Sequence, residues 1–328
     1  MQRHKQRGVA LVAVLMIIAI VVVIAVNMTG RLQLQLQRQQ NMQQQQQAFW
    51  YAMGAEQFAR VLLARTLAGQ ETVTLAQDWA LQGATFPVDD GTIAGDIIDL
   101  RSCFNLNALQ NLTPENGGRT EQSPAQKAFQ RFLELKLPQL TIPAEYLTAR
   151  LGDWLDEDSL LSSAGSAEDD DYASLRFPYY SANDLMASVS ELRVILDMTP
   201  ADYQALLPFV CVVPEDNTLL LNINTLTADN AVLLAALIPE LTEQAAQDVI
   251  AERPEQGFVT LDEVFALQQL ASITVPETAK SMLAVTSDSF QLTATAGYLE
   301  SGFVLTSILK INENKQVKVL ARRFGGQG

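Results

Sequence analysis

Residues 7–26 read RGVALVAVLMIIAIVVVIAV, and the eighteen consecutive apolar residues from Val9 to Val26 decide how the rest of the chain is read. As a helix rising about 1.5 Å per residue the run reaches roughly 27 Å, close to the hydrocarbon thickness of a bilayer, which predicts a membrane span. Arg3, Lys5 and Arg7 precede it, whereas only Arg31 and Arg38 follow, within a long Gln-rich tract. The positive-inside rule then keeps the segment up to Gly8 in the cytoplasm and sends everything after Asn27 outward.

A secretory signal peptide has a shorter apolar core followed by a small-residue cleavage site. Here Gly8 stands in front of the run instead. A basic leader ending in Gly, followed at once by an uninterrupted hydrophobic helix, resembles the type IV prepilin and pseudopilin class. That resemblance implies cleavage between Gly8 and Val9 by a prepilin peptidase, methylation of the new amino terminus, and retention of the helix as a single-pass inner-membrane anchor with the remainder in the periplasm. Most members of the class carry Glu at the fifth mature residue, where this chain has Ala13. A lone carboxylate in hydrocarbon needs a partner, and a subunit with nothing ahead of it has no neighbouring amine to meet. The absent charge therefore points to a first or tip subunit, a trait of the K family of minor pseudopilins of type II secretion.

The chain has 22 Lys and Arg against 37 Asp and Glu, a net charge of −15. Without the leader, which holds three basic residues, 19 remain and the net charge is −18. Such a chain repels nucleic acid and anionic surfaces. Its single histidine, His4, also lies in the leader. A mature protein without His lacks the usual general base and the commonest zinc ligand, which excludes Ser-His-Asp, Cys-His and His-metal chemistry. The expectation is a protein that is not an enzyme; a carboxylate-metal hydrolase is the one catalytic reading left. The two cysteines, Cys103 and Cys211, would lie in an oxidising compartment and are expected to pair, closing a loop worth about 4 kcal/mol in the chain-entropy model. Two buried free thiols are the alternative.

Residues 31–70 read as a continuation of the first helix, because Gln and Leu are good helix formers and no Gly or Pro intervenes until Gly54. Phe49, Ala52, Ala55, Ala59 and the Leu62-Leu63 pair recur at helical spacing, a stripe that a sheet can cover. The run Gln43–Gln47 reads as a solvated face. Strands are expected over 72–75, 85–88, 92–98 and 100–104, with a turn at Asp89-Asp90-Gly91. A meander is expected over 290–295, 303–311 and 316–323, with its last turn at Asn312-Glu313-Asn314-Lys315. WYAMGAEQFARVLL at 50–63 is similar to the K family. The resemblance implies an α+β pseudopilin fold, a long helix laid on a small antiparallel sheet that carries a large α-helical insertion. The expected organisation is a leader at 1–8, span at 9–26, helix continuation at 27–70, first sheet part at 71–104, helical insertion at 105–220, a second helical unit at 221–285 and the meander at 286–328.

Asn105-Leu106-Asn107-Ala108-Leu109 and Asn222-Ile223-Asn224-Thr225-Leu226 form a weak internal repeat. Each ends a strand-like run and precedes a helix, expected over 125–137 and 226–238 respectively. The second continues through 242–252, Gly257 and 261–267 in a SAM-like or helix-hairpin-helix pattern. DNA-binding hairpins need an open or basic turn where backbone N–H groups meet phosphate. Here the connection carries Glu240 and Glu243, so the unit reads as a packing module without nucleic-acid binding.

Eight acids fall between Asp153 and Asp171: Asp153, Asp156, Glu157, Asp158, Glu168, Asp169, Asp170 and Asp171. Trp154, Tyr172, Phe177, Tyr179 and Tyr180 lie among and just beyond them and should pack the loop into a core, where ordering so much like charge without a cation is costly. Hard oxygen donors on a loop suit Ca²⁺. No EF-hand spacing occurs, and a solvated acidic loop is the alternative. DWLDED, AEDDDY and PYYSAND resemble the acidic region of the K pseudopilins, where calcium sites are expected. Asp156, Asp158, Glu168, Asp169 and Asp171 are the candidate ligands because they bracket the loop. The resemblance implies a tip subunit that starts or caps a short periplasmic filament for export of folded proteins across the outer membrane. Its implied partners are the minor pseudopilins I and J, and the secreted substrate. A type IV pilus minor pilin and a DNA-uptake pseudopilus component are the alternatives.

Overall fold

The computed structural model describes residues 7–111, 122–312 and 314–325. Most of the leader and Glu313 of the last turn lie outside these residues. Helix α1 (Arg7–Thr66) runs unbroken for 60 residues, roughly 90 Å at helical rise. It is the one helix among the described residues long and apolar enough to cross a membrane. Its first buried side chain is Ala48; beyond it Ala52, Ala59 and Leu63 are buried, and these small residues let the helix lie close on the sheet. One charge on this face is also buried. Glu56 accepts hydrogen bonds from Arg322 Nε (2.7 Å), Arg322 Nη2 (2.8 Å) and Ser307 Oγ (2.7 Å). Burial works to raise its pKa, but these bonds outweigh it and leave the carboxyl below its ordinary value.

The sheet has five strands, β1 (Thr85–Val88), β2 (Gly91–Asp99), β7 (Ser289–Tyr298), β8 (Ser301–Ile311) and β9 (Val317–Phe324), in the order β1-β2-β7-β8-β9 and antiparallel throughout. Two expected strands are not formed. Residues 72–74 join no strand and Leu75 lies in a turn; Val73 N–H donates to Val285 O. At 100–104 the chain turns out of the sheet, because the Asp99 carboxylate accepts Arg101 N–H (2.8 Å) and only Phe104 and Asn105 are extended, as β3 (Phe104–Asn105).

Since β2 and β7 are sheet neighbours, everything between Asp99 and Ser289 leaves the sheet and returns to it as one body. Its helices are α2 (Pro124–Lys136), α3 (Ala144–Leu155), α4 (Asp169–Ala173), α5 (Pro200–Leu206), α6 (Val232–Leu237), α7 (Glu243–Ala251), α8 (Leu261–Phe265), α9 (Gln268–Ala271) and α10 (Glu277–Lys280). A single hydrophobic core unites residues from Phe104 to Leu283. The helix expected over 226–238 begins only at Val232. Asn230 Oδ1 accepts Thr227 N–H (2.6 Å), which favours a 3-10 turn ahead of it.

The Asn-x-Asn repeat is carried by two short parallel strand pairs, β3 with β4 (Val210–Cys211) and β5 (Leu221–Asn222) with β6 (Leu283–Ala284). The second Asn of each motif grips a distant backbone at both groups. Asn107 accepts Met186 N–H (2.8 Å) and donates to Met186 O (3.1 Å); Asn224 accepts Phe258 N–H (2.7 Å) and donates to Phe258 O (2.9 Å). Gly257 makes room for the second grip, since a Cβ there would stand 2.9 Å from Asn224 Oδ1. Both amides are fully buried, so leucine at either position strands backbone groups away from water. Asn224→Leu is expected to cost about 2–4 kcal/mol in chemical denaturation, and Asn107→Leu the same, because each removes three buried bonds.

Candidate metal centre

The joint between sheet and insertion fixes how the acidic loop is presented. Cys103 and Cys211 form a disulfide with Cα atoms 5.7 Å apart, as the compartment argument expects. Beside it the buried Arg101 pairs with Asp216 (2.7 Å) and Asp288 (2.9 Å). Asp99, fully buried, accepts Thr225 Oγ1–H (2.6 Å) and Ser287 Oγ–H (2.5 Å), and burial raises its pKa despite those bonds.

Helix α3 carries Asp153 in its last turn and ends on Asp156, and Glu168 caps the start of α4. Spacing of i to i+3 puts Asp153 and Asp156 on one face of α3. Asp153, Asp156 and Glu168 are all buried, and each offers a carboxylate oxygen within 4.8 Å of the others. Asp156 Oδ1 and Glu168 Oε1 are buried and have no hydrogen-bond partner among the described residues. Burial, opposed next by the Asn111 hydrogen bond and aided by the Asp153 and Asp158 charges, pushes Asp156 up to about 6. Burial, then the Asp153 charge, pushes Glu168 up to about 7. Asp153 is raised as well, chiefly by burial.

Of the five acids singled out in the sequence, Asp156 and Glu168 come together. The other three do not join them, because nearby donors occupy their oxygens. Asp158 Oδ1 accepts Leu160 N–H (2.8 Å), and Asp171 Oδ2 accepts Glu168 N–H (3.1 Å) as part of the α4 cap. Asp169 accepts Ser181 N–H (3.0 Å), Ser181 Oγ–H (2.7 Å) and Ser159 Oγ–H (3.2 Å), and the Ser181 bond leads in holding its pKa down. Asp153 belongs to the eight loop acids but not to the five; its i to i+3 relation to Asp156 was the available signal. Asn111, whose Nδ2 donates to Asp153 Oδ1 (3.0 Å) and Asp156 Oδ2 (2.9 Å), carries no such signal. Three converging carboxylates, two with orphaned oxygens, form a hard-donor set that fits a divalent cation such as Ca²⁺. Gly8 and Val9 lie in the first turn of α1.

A long N-terminal apolar helix packed on an antiparallel sheet, with an inserted helical body between adjacent strands, defines a pseudopilin. The chain matches the type II secretion system protein K family over residues 102–215 and again over 221–286. It is similar to type II secretion system protein K of Pectobacterium carotovorum subsp. carotovorum, with 38% identity over 326 residues covering 99% of this chain and 98% of that one. It is 39% identical to the Klebsiella pneumoniae protein of the same name, over 98% of this chain and 97% of that one. In the crystal structure of the GspK-GspI-GspJ complex from the enterotoxigenic Escherichia coli type 2 secretion system, one chain superposes with a TM-score of 0.79 at 30% identity, covering 88% of this chain and all of that one. This chain belongs to the type II secretion system protein K family and is a minor pseudopilin of that system. These relatives do not favour the type IV pilus and DNA-uptake readings.

Proposed function

We propose that this chain starts or caps the pseudopilus from its tip, as a structural component and not a catalyst. The observation that carries this reading is the body between β2 and β7, with a hydrophobic core of its own, which would obstruct a subunit stacked ahead of it. Ala13 supports it, since a tip subunit has no neighbouring amine for a carboxylate to meet. Minor pseudopilins I and J are its partners in this reading, by analogy with the relative solved with GspI and GspJ. Their helices pack against α1 in the inner membrane, and the globular part stands in the periplasm and offers a surface to exported proteins. Prepilin peptidase cuts between Gly8 and Val9, and the new terminus is methylated. Asp153, Asp156 and Glu168 hold Ca²⁺, whose charge offsets three carboxylates buried together.

Deleting the gene is expected to stop export while leaving transformation untouched. Mass spectrometry of the purified chain should find a methylated Val9 at its amino terminus. Intact export in the deletion strain, or a chain that begins at Met1, would sink the assignment.

A further inference from the structure

Two of the three carboxylates, Asp153 and Asp156, are held by an amide relay that starts outside the acidic loop. Ser123 N–H donates to Gln126 Oε1 (2.8 Å) at the start of α2. Gln126 Nε2 then donates to Leu109 O (2.9 Å) and to Asn111 Oδ1 (2.7 Å), which fixes the way the Asn111 amide faces. Asn111 Nδ2 delivers its two hydrogens to two different acids, Asp153 Oδ1 and Asp156 Oδ2. It therefore binds Asp156 through one oxygen while the other, Oδ1, is the buried atom without a partner among the described residues. Glycine at 152 leaves the space for this, because a Cβ there would stand 2.7 Å from Asn111 Oδ1.

From this geometry we infer that Asn111 is the positioning residue of the cation site, aimed by Gln126 and given room by Gly152. This deepens the Ca²⁺ reading above and rests on it. Asn111 holds Oδ1 of Asp153 and Oδ2 of Asp156, leaving Asp156 Oδ1 free for the ion while Ser162 N–H reaches Asp153 Oδ2 (3.3 Å). It also places two N–H donors between like charges, so the acids stay together before any cation arrives. Hydrogen-bond partners that orient metal ligands in this way typically set affinity by a factor of about 10–100.

The test is isothermal titration of CaCl₂ into the full chain in detergent after stripping with EDTA, with melting in EDTA reporting that each variant folds. Asn111→Ala is expected to weaken Ca²⁺ binding about 10–100-fold. Gly152→Ala changes no donor and no acid, yet should weaken binding comparably by displacing Asn111. On the Asn111→Ala background it should then have no further effect, a non-additivity that general damage to α3 would not produce. Asn111→Ala binding as tightly as the parent, or Gly152→Ala costing as much with Asn111 absent as with it present, would overturn the inference while the Ca²⁺ site stands. No heat from the parent chain would remove the site and the inference together.

Discussion

Replacing Arg101 with methionine is expected to lower the unfolding free energy by about 3–5 kcal/mol. Arg101 is 3% exposed and sits where β2 gives way to the insertion. Its guanidinium touches Asp216 of the insertion and Asp288 at the head of β7, so one side chain closes the joint from both sides. Methionine fills similar volume but leaves those two carboxylates facing each other. Lys310, at 3.7 and 3.9 Å, is then the nearest compensating charge. The cost comes from uncompensated buried charge and not from lost attraction, so the double variant R101M/D216L should recover much of the loss. Denaturation followed at Trp79, in the sheet core, and at Trp154, in the insertion core, distinguishes the possible outcomes. Parent-like stability in R101M would show that the disulfide alone carries the joint.

The same joint marks where local sequence signals stop being informative. Helix α1 and the terminal meander were legible because their patterns are long: an unbroken apolar run, then alternation across 290–323. Residues 72–75 and 100–104 carry similar strand propensity but lack an open ladder position. What decides 100–104 is the Asp99 side chain turning the backbone, a contact that propensity does not encode. The Asn-x-Asn repeat could be read as a repeat, but not its grip, because Met186 and Phe258 lie 79 and 34 residues away from the amides they meet. Within the candidate site, Asp156 and Glu168 were legible as acids bracketing a loop. Asp158 and Asp171 looked equivalent in sequence and differ in space because short acidic side chains readily bind nearby backbone N–H groups. Asn111 was invisible, since its partners are 42 and 45 residues distant.

Without a divalent cation, the melting temperature should fall as pH rises from about 5 to about 7, and calcium should abolish that fall. Glu168 rises from an ordinary 4.5 to about 7 in the folded chain, and Asp156 from 3.8 to about 6. A carboxyl raised in this way carries no penalty at low pH, where folded and unfolded chains both hold the proton. As pH climbs past the ordinary value the unfolded chain ionises first, so stability drops until the folded group ionises too. For Glu168 alone the total is on the order of 3 kcal/mol. Carboxyls held low, such as Glu56, Asp169 and Asp216, act in the opposite sense and in a separate window. Their stabilisation is complete above the ordinary carboxylate range and is lost only as pH falls below it. The sole histidine is His4, ahead of the apolar run, so no imidazole in the globular part obscures the interval between. Calcium binds the ionised acids, hence its stabilisation should be small near pH 5 and largest above pH 7. Glu168→Gln should flatten the EDTA curve and also shrink the calcium effect, because one neutral amide removes both the penalty and a ligand charge. An EDTA curve that stays level across this interval in the parent chain would show that these acids are not held together without the ion.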